Sequence, residues 1–307
     1  MSRIVVLGSL NMDLVAHVPH LPSAGETVLA QPLQTFPGGK GANQAAAAAR
    51  LGGRVSIIGR VGADAFGTSL LEALARDGVD TTAVERDGAT PTGTAIILVD
   101  PQGENVIAVS PGANATLTVD AVDRALQTLG SDDMLVIQLE IPATVVRQAL
   151  TGARERGVRT LLNAAPIRGL DPALLRGLDI LVVNEPETAA LVGRSVTDLT
   201  AAMAAALELH ERGVGLAVVT LGAAGAVFSQ NGTAERVEPF PVTAVDSTAA
   251  GDAFVGAMAA AMIDAIPTTQ ALRLASAAGA AAASRPGAHS SLPRRRDLED
   301  AFGLRWP

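Results

Sequence analysis

The segment VDSTAAGDAF, Val245–Phe254, sets Asp252 directly behind Ala249, Ala250 and Gly251 and opens an apolar stretch that predicts a helix. Backbone N–H groups at a helix start bind phosphate oxygens, and small residues there let a phosphate come close. A carboxylate held at that spot takes the proton of a hydroxyl as its oxygen attacks. A base and an anion hole one residue apart therefore suit phosphoryl transfer from ATP to an alcohol, where the protein mainly positions reactants and stabilises charge. The plainer reading makes Asp252 a favourable charge at a helix N-terminus.

Other polar groups stand where apolar runs end. Asn11 and Asp13, in GSLNMDLV, are two apart, so in an extended segment they face one side and suit vicinal hydroxyls of a sugar, or else form an Asx turn. PGGKGAN carries Lys40, the one lysine of the chain, among Gly38, Gly39 and Gly41, with Asn43 just beyond. It is either a loop whose backbone approaches a ligand or a structural turn. It is not a phosphate-binding P-loop, because residue 34 is Gln and Gly41 follows the lysine; nor is it G-x-G-x-x-G, because residue 44 is Gln. Glu140 ends MLVIQLE as a helix cap or a sugar ligand. Asn184 and Glu187, three apart in NEPE, suit a water-bound Mg²⁺ or a capping pair. Thr220, Gly222 and Gly225 suit phosphate contact or a tight turn. His17, His20, His210 and His289 lack metal-ligand spacing, which predicts surface or local hydrogen-bonding roles.

These groups need a scaffold that ends many strands at one edge. The apolar runs Ile4–Leu7, Val55–Ile58, Met134–Leu139, Val158–Leu162, Ile180–Val183 and Leu216–Leu221 read as buried strands. Helical patterns at 42–51, 65–75, 120–129, 143–156 and 198–212 alternate with them. Continuous apolar strands between helices predict an α/β fold with a mostly parallel sheet covered on both faces, and ligands beyond the strands' carboxyl ends. Residues 12–37 and 90–111 break the rhythm; Thr94–Val99 and Asn105–Val109 flank DPQG as a hairpin. These pieces predict a second, small antiparallel sheet with a half-apolar face to bury.

Composition removes several classes. The 307 residues carry a formal charge of −8, which opposes general nucleic-acid binding; Arg294–Arg296 is the single basic run and reads as solvated surface. No cysteine is present, excluding disulfides, thiol catalysis and zinc–thiolate sites and fitting a cytoplasmic protein. No apolar run approaches the roughly 20 residues of a membrane span. The alanine abundance reads as compositional bias.

Taken in order, GSLNMD, GETV, GGKGANQA, PGAN, QLEIP, NEPE, TLG and DSTAAGDAF resemble the ribokinase family of carbohydrate kinases over nearly the whole chain. The resemblance implies a Rossmann-like αβα core, residues 1–11, 38–89 and 112–307, with a β-sheet lid, 12–37 and 90–111, that clasps a second copy in a homodimer. It implies that ATP phosphorylates the 5-hydroxyl of D-ribose, with Asp252 as base and Ala249, Ala250 and Gly251 in the anion hole. Asn11, Asp13, Gly39, Lys40, Gly41, Asn43 and Glu140 would hold the sugar. Asn184, Thr220, Gly222, Gly225, Gly251 and Ser276 would border ATP, although relatives often have His or Asn where Ser276 stands. Glu187 would act on Mg²⁺ indirectly, and Asp246, Thr248, Ala282, Arg285, Gly287 and Ser291 would surround K⁺. Pro186 and Ser247 also depart from the family's usual residues. A kinase for deoxyribose, another pentose, a ketohexose or a nucleoside is the alternative within the class. A catalytically silent sugar-binding protein is the alternative outside it, and retention of Asp252 behind its small residues argues against that.

Overall fold

The computed structural model describes residues 2–167 and 170–307. In chain order the elements begin with β1 (Ile4–Leu7), β2 (Asn11–His17), β3 (Gln34–Gly38), α1 (Lys40–Arg50), β4 (Val55–Gly62), α2 (Ala65–Arg76) and β5 (Val84–Asp87). Then come β6 (Gly93–Val99), β7 (Asn105–Ser110), α3 (Val119–Leu126), β8 (Met134–Gln138), α4 (Ala143–Glu155), β9 (Arg159–Asn163), β10 (Ile180–Asn184) and α5 (Glu185–Val192). The chain ends with α6 (Leu199–Glu211), β11 (Leu216–Thr220), β12 (Ala226–Gln230), β13 (Thr233–Val237), α7 (Ala250–Ile263), α8 (Thr268–Ala283) and α9 (Arg295–Phe302).

The main sheet has nine strands in the order β13-β12-β11-β10-β9-β8-β1-β4-β5. From β11 to β5 all neighbours are parallel, and β12 and β13 close one edge as antiparallel strands. Both faces of the central strands β1, β8, β9, β10 and β11 are buried, which is why those strands are nearly continuously apolar, while the edge strands β5 and β13 are polar and partly exposed. Ile4 and Val6 of β1, Val136 of β8 and Val218 of β11 point into a core with α1, α7 and α8. Their alternates Val5, Leu7, Ile137 and Val219 point into a second core with α3, α4 and α6. The chain builds outward from β1 through β4 to β5, then returns to the other side of β1 with β8. That reversal is the switch point at which open α/β sheets bind ligands.

A four-stranded sheet, β3-β2-β6-β7, stands beside the main one. Its outer pairs are antiparallel as expected, but its central β2–β6 pair is parallel, because the β4–α2–β5 crossover lies between those strands, so the sheet is mixed rather than antiparallel throughout.

The alanines have a structural use that the compositional reading overlooks. Ala45–Ala48 of α1 and Ala253, Ala257 and Ala260 of α7 are buried in one core. A Cβ on Gly256 would lie 2.5 Å from Ala47 Cβ and 2.8 Å from the Gln44 carbonyl oxygen. Only small residues let α1 and α7 approach this closely, and that approach brings the starts of both helices together. The basic run is also less solvated than expected: Arg295 donates to the Leu51 carbonyl and stacks over Trp306, while Arg294 and Arg296 are exposed. Of the histidines, His289 is buried and pairs with Asp77 at 2.7 Å, which also takes a bidentate pair from Arg50. His210 bonds the Val214 carbonyl, and His20 bonds Glu26. None of the described helices is long and apolar enough to cross a membrane.

Candidate active site

Asp252 sits in the first turn of α7, 6% exposed. Its Oδ2 accepts from Asn43 Nδ2 at 3.0 Å, and its Oδ1 accepts from Gln44 Nε2 at 2.9 Å. Burial raises its pKa; Lys40 and the two amides oppose that without cancelling it. The Ala250 N–H is used in a turn to the Ser247 carbonyl, 3.1 Å, and no side chain caps the N–H groups that follow. A Cβ built on Gly251 would meet nothing within 4 Å, and Gly251 and Asp252 border an open cavity.

Lys40 opens α1 and is ringed by carboxylates. Burial lowers its pKa, but Asp252, Glu140 and Glu187 raise it further, so the ammonium form persists. Glu140 Oε2 accepts from the Lys40 N–H at 3.2 Å and from Ser9 Oγ at 2.5 Å, joining the end of β8 to the end of β1. Glu140 is therefore not the cap of α4, whose N-cap is Pro142. The close backbone approach is real: a Cβ on Gly41 would lie 2.6 Å from Gly8 C and from Ser9 N. Gly39, at φ 89°, is in the left-handed region as well.

Asp13 is 7% exposed, and a Cβ on Gly38 would strike its carboxylate at 2.2 Å. Burial, then Glu140, then Asp252 push its pKa up to about 7. Asn11 is fixed through its Oδ1, which accepts from Asn114 Nδ2 at 2.7 Å; Asn114 also closes a two-way pair with the Leu10 backbone. Asn43 Oδ1 is buried with no partner, an acceptor left for a hydroxyl donor.

Two cavities adjoin these groups and share Thr248 in their walls. The smaller, about 200 Å³, is bounded by Lys40, Asn184, Glu187, Thr220, Gly251 and Asp252. The larger, about 690 Å³, lies between the small sheet, with Asp13 and Phe36, and the loops carrying Asp246 and Gly287. Asn184 and Glu187 form the capping box of α5, with bonds of 2.9 and 3.0 Å, and burial raises the Glu187 pKa. Thr220 reaches the Val183 carbonyl at 3.3 Å. Gly222, Gly225 and Ser276 do not line the smaller cavity. At Gly225 the backbone is left-handed, and any Cβ there would lie 2.3 Å from the Val237 carbonyl oxygen, which accounts for glycine without a ligand. Ser276 is half-buried in α8.

Asp246 clasps two loops. Its carboxylate accepts from the Thr248 N–H at 2.9 Å, the Thr248 hydroxyl and the Gly287 N–H at 2.9 Å, and these bonds outweigh burial to lower its pKa. Arg285 N–H donates to the Ala282 carbonyl, and Ser291 Oγ to the Ala288 carbonyl.

Sequence reasoning named Asp252 and Asn43 and passed over the groups that hold them. Gln44, Gln138 and Asn163 form a buried amide cluster against Asp252, and Ser9 and Asn114 brace the sugar-side residues. The available signal was a glutamine inside the apolar run MLVIQLE and another directly before the five alanines 45–49.

The pfkB family carbohydrate kinase model matches residues 1–295. The chain belongs to that family. A ribokinase of Haemophilus influenzae is 39% identical over 96% of each chain. A deoxyribokinase of Salmonella typhi is 35% identical over 98% of this chain and 99% of its own. Among solved structures, Arabidopsis thaliana ribokinase complexed with ribose and ATP superposes with a TM-score of 0.89 at 31% identity, covering 99% of this chain and 100% of its own. As a carbohydrate kinase of this family the chain is an enzyme, and its large sheet with a small second sheet is the architecture it shares with these neighbours.

Proposed function

We propose that this kinase transfers the γ-phosphoryl group of ATP to the 5-hydroxyl of D-ribose, giving ribose 5-phosphate and ADP. The observation that carries the reading is the position of Asp252: amide donors hold both of its oxygens, and beside it lie open N–H groups, Lys40 and a cavity. Asn11, Asp13, Gly39, Lys40, Gly41, Asn43 and Glu140 hold the sugar, with Asp13 and Asn43 Oδ1 accepting from its hydroxyls. Asp252 takes the proton of the attacking hydroxyl as the bond to phosphorus forms. The Ala249–Gly251 turn and the first N–H groups of α7 receive the negative charge of the transferring group. Asn184, Thr220, Gly222, Gly225, Gly251 and Ser276 border the nucleotide.

Glu187, held by its capping box at the cavity wall, suits an ion that keeps most of its waters, so it orients hydrated Mg²⁺. When bound, Mg²⁺ neutralises charge on the phosphates. The Asp246 carboxylate already accepts three donors and so leaves mainly oxygen ligands of the surrounding loops, which suits a weakly held K⁺ among Asp246, Thr248, Ala282, Arg285, Gly287 and Ser291. The small sheet acts as the lid, 12–37 with 90–111, over the core of 1–11, 38–89 and 112–307. Exposed Ile96, Val106, Ile107 and Val109 on β6 and β7 support a homodimer made lid to lid. The absence of cysteine fits a cytoplasmic site of action.

The 35% identity to a deoxyribokinase favours 2-deoxyribose as the second reading. ADP release measured over ribose, 2-deoxyribose, other pentoses, a ketohexose and a nucleoside, with and without K⁺, separates them. Ribose with K⁺ should give the highest kcat/KM; a higher value for deoxyribose would replace the first reading with the second. A narrower prediction concerns Gly251→Ala. Its methyl group meets no protein atom, so the fold should be kept or stabilised by up to about 1 kcal/mol in thermal melts. The same methyl enters the phosphate space, so kcat/KM for ATP should fall by about tenfold or more.

A further inference from the structure

Behind Asp252 the buried amides form a directional chain. The Val182 carbonyl of β10 is an acceptor whatever its neighbours do. It accepts from Asn163 Nδ2 at 3.1 Å, which turns Asn163 Oδ1 toward Gln44. Gln44 Nε2 donates to that oxygen at 3.0 Å, and its other hydrogen goes to Asp252 Oδ1 at 2.9 Å. Gln44 Oε1 is taken by Gln138 Nε2 at 2.6 Å. Gln44 is 1% and Gln138 0% exposed. Flipping the Gln44 amide would set oxygen against oxygen at both Asn163 and Asp252 and leave Gln138 donating to an NH₂ group, so one orientation alone satisfies Gln44 and its three partners at these contacts, while Gln138 Oε1 stays buried without a partner.

We propose that Gln44 is a positioning residue for phosphoryl transfer: the backbone carbonyl of Val182, acting through Asn163, makes Gln44 a permanent donor to Asp252 Oδ1 and so aims Oδ2 at the attacking hydroxyl. Oδ1 faces an N–H that cannot turn away and is closed to a proton on that side. Asn43, by contrast, is held only by its own bond to Oδ2 and has a free Oδ1, with no residue behind it to lock its amide, so it is able to follow the substrate. The proton leaving the sugar hydroxyl is received on the Oδ2 side, while the electron pair of that oxygen forms the new bond to phosphorus. This inference rests on Asp252 being the base and adds what keeps that base ionised and oriented. The charged groups around Asp252 are Lys40 on α1, Glu140 after β8 and Asp13 on β2, with Glu187 on α5 facing Lys40; the variants below change none of them.

Gln44→Met keeps the length of the side chain and removes the donor. Loss of one hydrogen bond to a carboxylate should lower kcat about tenfold or more and move the acidic limb of the kcat–pH profile up by about one pH unit, with sugar KM nearly unchanged. The direction follows from the bond: without the donor the carboxylate holds its proton to higher pH. Asn163→Leu leaves Gln44 in place but unlocks it, so the limb should move the same way by a smaller amount. An unmoved limb in Gln44→Met, or a loss expressed in sugar KM alone, overturns the proposal. If Gln44→Met does not fold, Asn163→Leu and Gln138→Met decide it, and an unmoved limb in both overturns it. Asp252→Asn, assayed in parallel, separates the two readings. Near-normal turnover there removes the base itself, whereas a dead Asp252→Asn with an unmoved Gln44→Met limb removes only the positioning chain.

Discussion

Asp252→Asn should lower turnover by about three orders of magnitude, roughly 4 kcal/mol of barrier, while the protein stays folded and binds sugar within a few-fold of the wild type. The local hydrogen bonding explains why the fold survives. Gln44 is locked as a donor and continues to donate to the amide oxygen of the new asparagine. Asn43 has an unpartnered Oδ1, so it turns over and accepts from the new NH₂. The substitution also removes a charge that burial disfavours, so thermal stability should hold or rise. What is lost is the acceptor for the hydroxyl proton. ADP release with saturating sugar measures the first effect, and sugar titration by calorimetry the second. Turnover near the wild-type level would sink the assignment of Asp252 as base. Because burial holds its pKa above the usual carboxylate range, the acidic limb of the wild-type kcat profile should also lie above that range.

Much of this arrangement was legible because the main sheet is buried on both faces. Uninterrupted apolar runs placed its parallel strands near their observed bounds. Glu140, Asn184 and Glu187 stood out because they follow such runs, whereas Lys40 and Asn43 stood out through the glycines around them and Asp252 through the small residues before it; Lys40, Asn184, Glu187 and Asp252 line one cavity. The parts that escaped have physical reasons. The pairing of β2 with β6 depends on a crossover between them, which no local pattern encodes. The helix α5 is short and lies directly against β10, so its capping box was visible while the helix itself was not. The alanine runs carry no amphipathic signal, and only the closeness of α1 to α7 shows what they are for. Gln44, Gln138 and Asn163 come from three separate elements, and their link is a set of distances rather than a spacing.

Asp13→Asn should stabilise the sugar-free protein at pH 8 and weaken its grip on sugar. The Asp13 carboxyl is pushed up to about 7 by burial first and by Glu140 and Asp252 next. In the unfolded chain it ionises near pH 3.9, as an ordinary aspartate does. Below that pH both states carry the proton and Asp13 contributes no pH dependence. Between roughly 4 and 7 the unfolded state releases a proton that the folded state keeps, so stability falls as pH rises through this window. Above about 7 the folded state bears the whole penalty of a buried carboxylate beside two others, on the order of 2–4 kcal/mol. Asparagine removes that penalty. The thermal midpoint should therefore rise by roughly 3–6 °C at pH 8 and stay nearly unchanged at pH 4. A hydroxyl donating to Asp13 favours the carboxylate, so in the wild type sugar affinity should decline as pH drops below 7. That decline should vanish in Asp13→Asn, whose affinity should be about tenfold or more weaker at pH 8. An equal stability gain at both pH values would show that repacking, not charge, is responsible. A wild-type sugar affinity flat from pH 6 to 8 would show that the sugar does not bind through this carboxylate. The strain at Asp13 is thus the same charge that the sugar is proposed to stabilise by hydrogen bonds from its hydroxyls, and a site built this way trades stability of the empty enzyme for affinity.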